Sequence, residues 1–178
     1  GASHQGIEDM GILRTIPNMT IVNGCDYYST RKLVRAAAYY QGPVYLRFTR
    51  DAVPFVYDET EAFEIGKAKV LKDGSDITII ANGDVMSRAY EAADLLEEKG
   101  ISVRLLDMHT IKPLDTEAVL DALKKTGRVI TVEDHNVING LGSGRGRNRK
   151  GDSHRNPGPF RRICAIRKAV GQKWNISR

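Results

Sequence analysis

Cysteine is scarce in this chain, and the two present, Cys25 and Cys164, stand far apart with no CxxC or Cys/His spacing around them. That excludes a zinc-finger pattern and a disulfide framework, and it makes a reducing, cytoplasmic setting the expectation. No apolar run approaches the roughly 18 residues of a membrane span, and the first residues lack the charged-then-apolar layout of a signal peptide, so no membrane partner is expected. Aromatic residues make up only 7% of the chain, with one tryptophan. Residues 144–178 are almost without acids, holding only Asp152 against 11 lysines and arginines.

That last shortage changes how the overall charge of +5 is understood. Residues 1–143 carry 16 basic and 21 acidic residues, a net of −5, so the basic excess of +10 lies wholly in residues 144–178. A polyanion-binding reading therefore applies to the tail alone. "GRGRNRK" resembles arginine-glycine RNA-binding segments, yet no stacking aromatics are interleaved with it, which argues against a nucleic-acid partner. The 41% hydrophobic content is enough for a buried core. The chain opens without methionine, which points to a processed or partial N-terminus.

The apolar pattern predicts regular structure as far as residue 143. "SHQGIEDMGILRTI" reads as a short helix with Ser3 as N-cap, "MTIV" as a brief buried strand, "DYYSTRKLVRAAAYYQG" as a helix closed by Gly42, and "PVYLRFTR" as a strand. Strand, helix and strand in this order form a βαβ unit with parallel strands. "DAVPFVYDETEAF" reads as a linker. Beyond it come strands at "FEIGKAKVLKDG", "DITIIANG", "ISVRLLDM" and "RVITVED", with helices at "DVMSRAYEAADLLEEKG" and "LDTEAVLDALKKTG". Their alternation over short connections is that of a three-layer α/β fold with a mainly parallel sheet. A further helix is due after "NGLGS", but "GRGRNRKGDSHRNPG" has no apolar stripe to supply one.

Several residues have the chemistry for a site. His4 stands at an expected helix start, where an imidazole and backbone N–H groups can meet an anionic or hydroxylated substrate, and the residues alone leave open a plain surface histidine. Arg50 follows a strand, where ligands of parallel sheets gather, and its guanidinium can grip a phosphate bidentately; a solvated strand-end arginine is the other reading. His109 and His135 also sit just past strands. "GLGSG" has part of a dinucleotide fingerprint, but Arg145 stands where its third glycine belongs, and close helix-to-sheet packing by Gly140 and Gly142 is the expected reason for these glycines.

"ASHQGIED", "GPVYLRFTR", "LDMHTIKPLD" and "VEDHNVINGLGS" together resemble, in order, the C-terminal half of transketolase-family proteins, and most closely the separate C-terminal subunits of split transketolases. The family pattern runs G-P-T-H-Q-x-x-E-D, G-P-x-x-L-x-x-S-R, T-I-K-P-L-D and V-E-E-H-x-x-x-G-L-G. The resemblance implies the end of a thiamine-diphosphate pyrimidine-binding domain over residues 1–57 and a small incomplete C-terminal α/β domain over 58–143; the basic tail over 144–178, without an apolar stripe, is expected to be disordered. It implies transfer of a two-carbon ketol unit between sugar phosphates, with His4 and Arg50 binding the substrate. Ala2 and Ser3 depart from the family's Pro and Thr.

By the same resemblance, the main residues for thiamine diphosphate and its divalent metal, magnesium, belong to an N-terminal half or subunit. The implied partners are that half, sugar phosphates, and a second copy in a dimer. The isolated chain is expected to be inactive. Deoxyxylulose phosphate synthase and the 2-oxoacid dehydrogenase beta chain are the alternatives within thiamine enzymes, and a noncatalytic nucleic-acid binder is the alternative outside them. Charge, periodicity and resemblance all change near Ser143, as a frameshift in the gene there would produce.

Overall fold

A computed structural model describes residues 6–50, 52–136 and 138–145, together with three short strands beyond them. The first unit holds helix α1 (Asp9–Leu13), strand β1 (Thr20–Asn23), helix α2 (Tyr27–Ala38) and strand β2 (Val44–Arg47). The expected Ser3 cap lies outside the described residues, and α1 begins after Glu8, which makes no side-chain cap bond. Helix α2 starts sharply because Asp26 and Ser29 form a reciprocal capping box, with Ser29 N–H donating to Asp26 Oδ1 at 2.8 Å. Strands β1 and β2 pair in parallel from Thr20↔Val44 to Asn23↔Arg47, as a βαβ unit requires.

The second unit contains β3 (Lys69–Asp73), β4 (Ile77–Ala81), α3 (Met86–Glu97), β5 (Val103–Asp107), β6 (Thr110–Lys112), α4 (Thr116–Thr126) and β7 (Val129–Val132). Helix α4 is capped at one end by Asp115, which accepts from Ala118 N–H at 3.0 Å, and at the other by Gly127 in the left-handed region. The main sheet runs β3-β5-β4-β7-β8, where β8 is Phe160–Arg162. Its pairs are parallel except β3 with β5.

Alternation along β4 assigns the two faces of this sheet. Ile80 packs with Leu106, Val129 and the α4 residues Val119 and Ala122, while Ile79 and Ala81 pack with Val103, Leu105 and the α3 residues Met86, Ala89 and Ala93. Helices on both faces make three layers, and strand β5 is buried along its whole length, as the central strands of such sheets are. Replacing Leu105 or Leu106, both fully buried, with alanine would cost about 2–5 kcal/mol.

Three features depart from the sequence reading. Strand β6 pairs antiparallel with β1, so a piece of the second unit completes the sheet β2-β1-β6 of the first. Where a further helix is due, the chain makes a 3₁₀ turn over Leu141–Arg145, which begins within "NGLGS". Within the tail, β8 pairs in parallel with β7, and two further strands, β9 (Cys164–Ile166) and β10 (Asn175–Ser177), pair antiparallel. Backbone pairing gives these segments strand structure that their side-chain pattern does not announce; the rest of the tail lies outside the described residues.

Candidate functional site

The carboxyl end of the first sheet gathers polar groups from three distant stretches of chain. Arg47, the last residue of β2, is buried, and its Nε donates to Asp9 Oδ2 at 3.0 Å. Its Nη2 lies 3.3 Å from the Gly6 carbonyl oxygen and 3.6 Å from Asp134 Oδ2. Tyr45, two residues earlier and therefore on the same face of the strand, donates its hydroxyl to the same Asp9 oxygen at 2.9 Å. A buried guanidinium requires such partners, and here they tie the entry to α1, β2 and the loop after β7 into one node.

The loop after β7 holds α1 from its other side. Gly11 N–H donates to His135 Nε2 at 3.1 Å, and His135 Nδ1 lies 2.8 Å from the Asn136 carbonyl oxygen, which fixes the neutral Nδ1–H tautomer. Asn136 N–H donates to Ile7 O at 3.0 Å. Glu133 accepts from Leu141 N–H at 2.5 Å and from Gly142 N–H at 3.1 Å. Burial raises its carboxyl above the ordinary glutamate value, offset by these two N–H groups. The Leu141 and Gly142 N–H groups are thus engaged by the chain's own carboxylate, and the Ser143 N–H donates to the Gly140 carbonyl oxygen at 3.1 Å. A Cβ at Gly140 would overlap that carboxylate, so Gly140 lets the loop approach Glu133 closely, where the sequence reading expected helix-to-sheet packing.

His4 lies outside the described residues; the chain bearing it enters at Gly6, whose carbonyl is held by Arg47. Arg50 is exposed, three residues past Arg47, and forms no ion pair with any described residue. His135 is fully buried and spent on α1. His109 is also fully buried, with Nδ1 3.0 Å from Thr110 Oγ1 and its ring edge-on to Phe63. Burial pushes His109 down to about 4.

A second polar group joins the two units through the linker. Asp26 Oδ2 accepts from Val56 N–H at 2.9 Å and Tyr57 N–H at 2.8 Å. The Tyr57 hydroxyl donates to Asp107 Oδ2 at 2.9 Å, and the Cys25 thiol approaches the same oxygen at 3.7 Å. Burial pushes the Asp107 carboxyl up to about 7, and it raises both the Cys25 thiol and the Tyr57 hydroxyl, with the nearby Asp107 charge adding to each. Sequence reasoning missed Asp9, Arg47, Asp134, Tyr57 and Asp107. The available signals were an acid ending the buried strand "VRLLD" and an arginine sharing a strand face with Tyr45.

Among the described residues, no group of three or more His, Cys, Asp or Glu could hold a metal ion. No helix among them is long and apolar enough to cross a membrane.

Against known proteins, the family model described as "Transketolase, pyrimidine binding domain" matches residues 1–56, and the one described as "Transketolase, C-terminal domain" matches residues 66–149. The chain belongs to the transketolase family. It is 50% identical over 144 residues to one of the subunits of the apulose-4-phosphate transketolase of Phocaeicola vulgatus, covering 80% of this chain and 46% of the relative. It is 47% identical, with 80% and 45% coverage, to "Putative transketolase C-terminal section" of Methanocaldococcus jannaschii. A solved structure described as "Split gene transketolase, inactive beta4 tetramer" is 39% identical with a TM-score of 0.84, covering 97% of this chain and 55% of that one. The chain thus spans about half the length of the transketolase-family relatives it matches.

Proposed function

We propose that this chain supplies part of the C-terminal half of a split transketolase, an enzyme that moves a two-carbon ketol unit between sugar phosphates. Residues 1–57 act as the end of the pyrimidine-binding domain and 58–143 as the C-terminal domain. An N-terminal subunit holds most of the thiamine diphosphate and magnesium contacts, and the working assembly is a cytoplasmic dimer. Thiamine diphosphate, when bound there, supplies the carbanion chemistry. This chain's own part is to help bind and orient the sugar phosphate substrate through His4 and Arg50.

The observation that supports this reading is the convergence at Arg47. One side chain holds the Gly6 carbonyl two residues from His4, and it sits three residues before exposed Arg50. The guanidinium of exposed Arg50 suits a phosphate, and an imidazole at His4 suits an anionic or hydroxylated group of the same substrate. The relative described as an inactive beta4 tetramer is consistent with a C-terminal subunit that does no chemistry alone.

The test is a ketol-transfer assay with a ketose phosphate donor, an aldose phosphate acceptor, thiamine diphosphate and magnesium. The chain alone is expected to be inactive, and the chain mixed with the N-terminal subunit of a split transketolase to be active. Activity of the chain alone, or none in the mixture despite complex formation, would sink the proposal.

A further inference from the structure

We propose that the linker between the two units is a proton-dependent latch, docked while the buried Asp107 carboxyl holds a proton and opening at residues 52–57 when that proton leaves. Between β2 and β3 the described chain forms no helix or strand, and Tyr57 is the one buried residue of 52–66. Among the described residues, three hydrogen bonds tie 52–57 to the rest of the protein, and all three end on two carboxylates. Asp26 Oδ2 accepts from the Val56 and Tyr57 N–H groups, and Asp107 Oδ2 accepts from the Tyr57 hydroxyl. A segment held by so few contacts opens at lower cost than the sheets beside it. The β1–β6 pairing keeps the two units together when it does.

The surroundings of Asp107 make its charge costly. It ends β5 with no exposure, and its Oδ1 has no hydrogen-bond partner among the described residues. Oδ2 receives two uncharged donors, the Tyr57 hydroxyl at 2.9 Å and the Cys25 thiol at 3.7 Å. The cation facing it is Lys69, its register partner on β3, whose ammonium is paired with Glu61 at 2.6 Å. The like charge of Asp26 acts on it from the start of α2, and its register partner on β4 is uncharged Ala81. Burial without a cation in contact favours the neutral acid, and the carboxyl is pushed up to about 7.

Once the linker lifts away, the carboxyl regains water and its ordinary value of 3.8. The closed latch therefore binds the proton more tightly than the open one, so closure is strongest below 3.8 and weakens as pH rises through about 7. From about pH 5.5 to about pH 8.5 the balance shifts towards the open latch by about thirtyfold at most. Burial raises the Cys25 thiol and the Tyr57 hydroxyl and holds His109 at about 4, so these three neighbours keep their charge across that window.

The test is residue-resolved amide hydrogen exchange on the full chain, with each rate divided by the intrinsic rate at that pH. The Val56 and Tyr57 N–H groups report the latch, and those of Ile79 and Ile80 in central strand β4 report unfolding of the whole. Protection of Val56 and Tyr57 is expected to stay below that of β4 and to fall about tenfold to thirtyfold between about pH 5.5 and about pH 8.5. In Asp107→Asn, which cannot ionise, the fall is expected to vanish. Equal protection at both pH values in the wild type would overturn the latch, and so would an equal fall in Asp107→Asn. Exchange of Val56 and Tyr57 in step with Ile79 and Ile80 would overturn it too, since the linker would then open only with the whole fold. Should Asp107→Asn fail to melt cooperatively, Asp107→Ser takes its place with the same expectations.

Discussion

The Tyr57 hydroxyl donates to Asp107 Oδ2 at 2.9 Å, joining the linker to the end of a fully buried strand of the second unit. The backbone N–H of the same Tyr57 donates to Asp26 of the first unit at 2.8 Å. One linker residue thus clasps both units. Tyr57→Phe removes one donor from a buried carboxyl and keeps the ring packed on Phe63, so it is expected to lower stability by about 1–3 kcal/mol in urea unfolding. An unchanged midpoint would show that the clasp contributes nothing.

Asp107 sets a pH dependence of unusual sign. Its carboxyl titrates at about 7 when folded against an ordinary value of 3.8, so between those values the folded state holds more protons. Stability from this group is full below about pH 3.8 and is lost as pH rises through 7. Asp107→Asn, which keeps an acceptor for Tyr57 and cannot ionise, is expected to be more stable than wild type at pH 8, by an order of magnitude of 4 kcal/mol at most. An Asp107→Asn variant no more stable than wild type at pH 8 would contradict this.

His109 works in the opposite direction over an overlapping range. Burial holds it at about 4 against an ordinary 6.5, so the unfolded state binds the extra proton and stability is lost as pH falls from 6.5 through 4. The two groups partly cancel, and wild-type stability is expected to be nearly flat from pH 4 to 6.5. Replacing His109 with asparagine removes one side of the balance. That variant should then lose stability as pH rises from 5 to 7.5 in thermal melts, and a flat profile would refute the opposition.

Gly140→Ala tests the loop that supports α1. The added Cβ would overlap the Glu133 carboxylate and lie 2.8 Å from the Asn136 carbonyl oxygen, so the loop must shift. The expected loss is about 1–3 kcal/mol, with phosphate binding weakened as well because His135 and Asn136 hold α1 and Ile7 from this loop.

Most of the fold was legible because local signals agreed with one another. Asp26 and Asp115 at helix starts, Gly127 at a helix end, and the apolar runs of β4 and β5 each mark an element by its own chemistry. Strand β6 was not legible, since three residues beside Pro113 carry no periodicity, and only pairing with β1 makes them a strand. The tail strands β8 to β10 are likewise defined by pairing. Arg47 was missed for a related reason. A strand-end arginine is ordinarily solvated, and its burial follows from partners that sequence distance conceals. His109 and His135 had the right type and place for ligands, yet both are consumed by internal contacts.

The central claim, that this chain brings substrate-phosphate contacts to a larger enzyme, is tested most directly in the complex with an N-terminal transketolase subunit. The measurement is the KM for a ketose phosphate donor with wild-type chain and with Arg50→Ala. The account predicts a rise in KM of about tenfold or more for Arg50→Ala, with the complex still forming. An unchanged KM in an intact, active complex would contradict it.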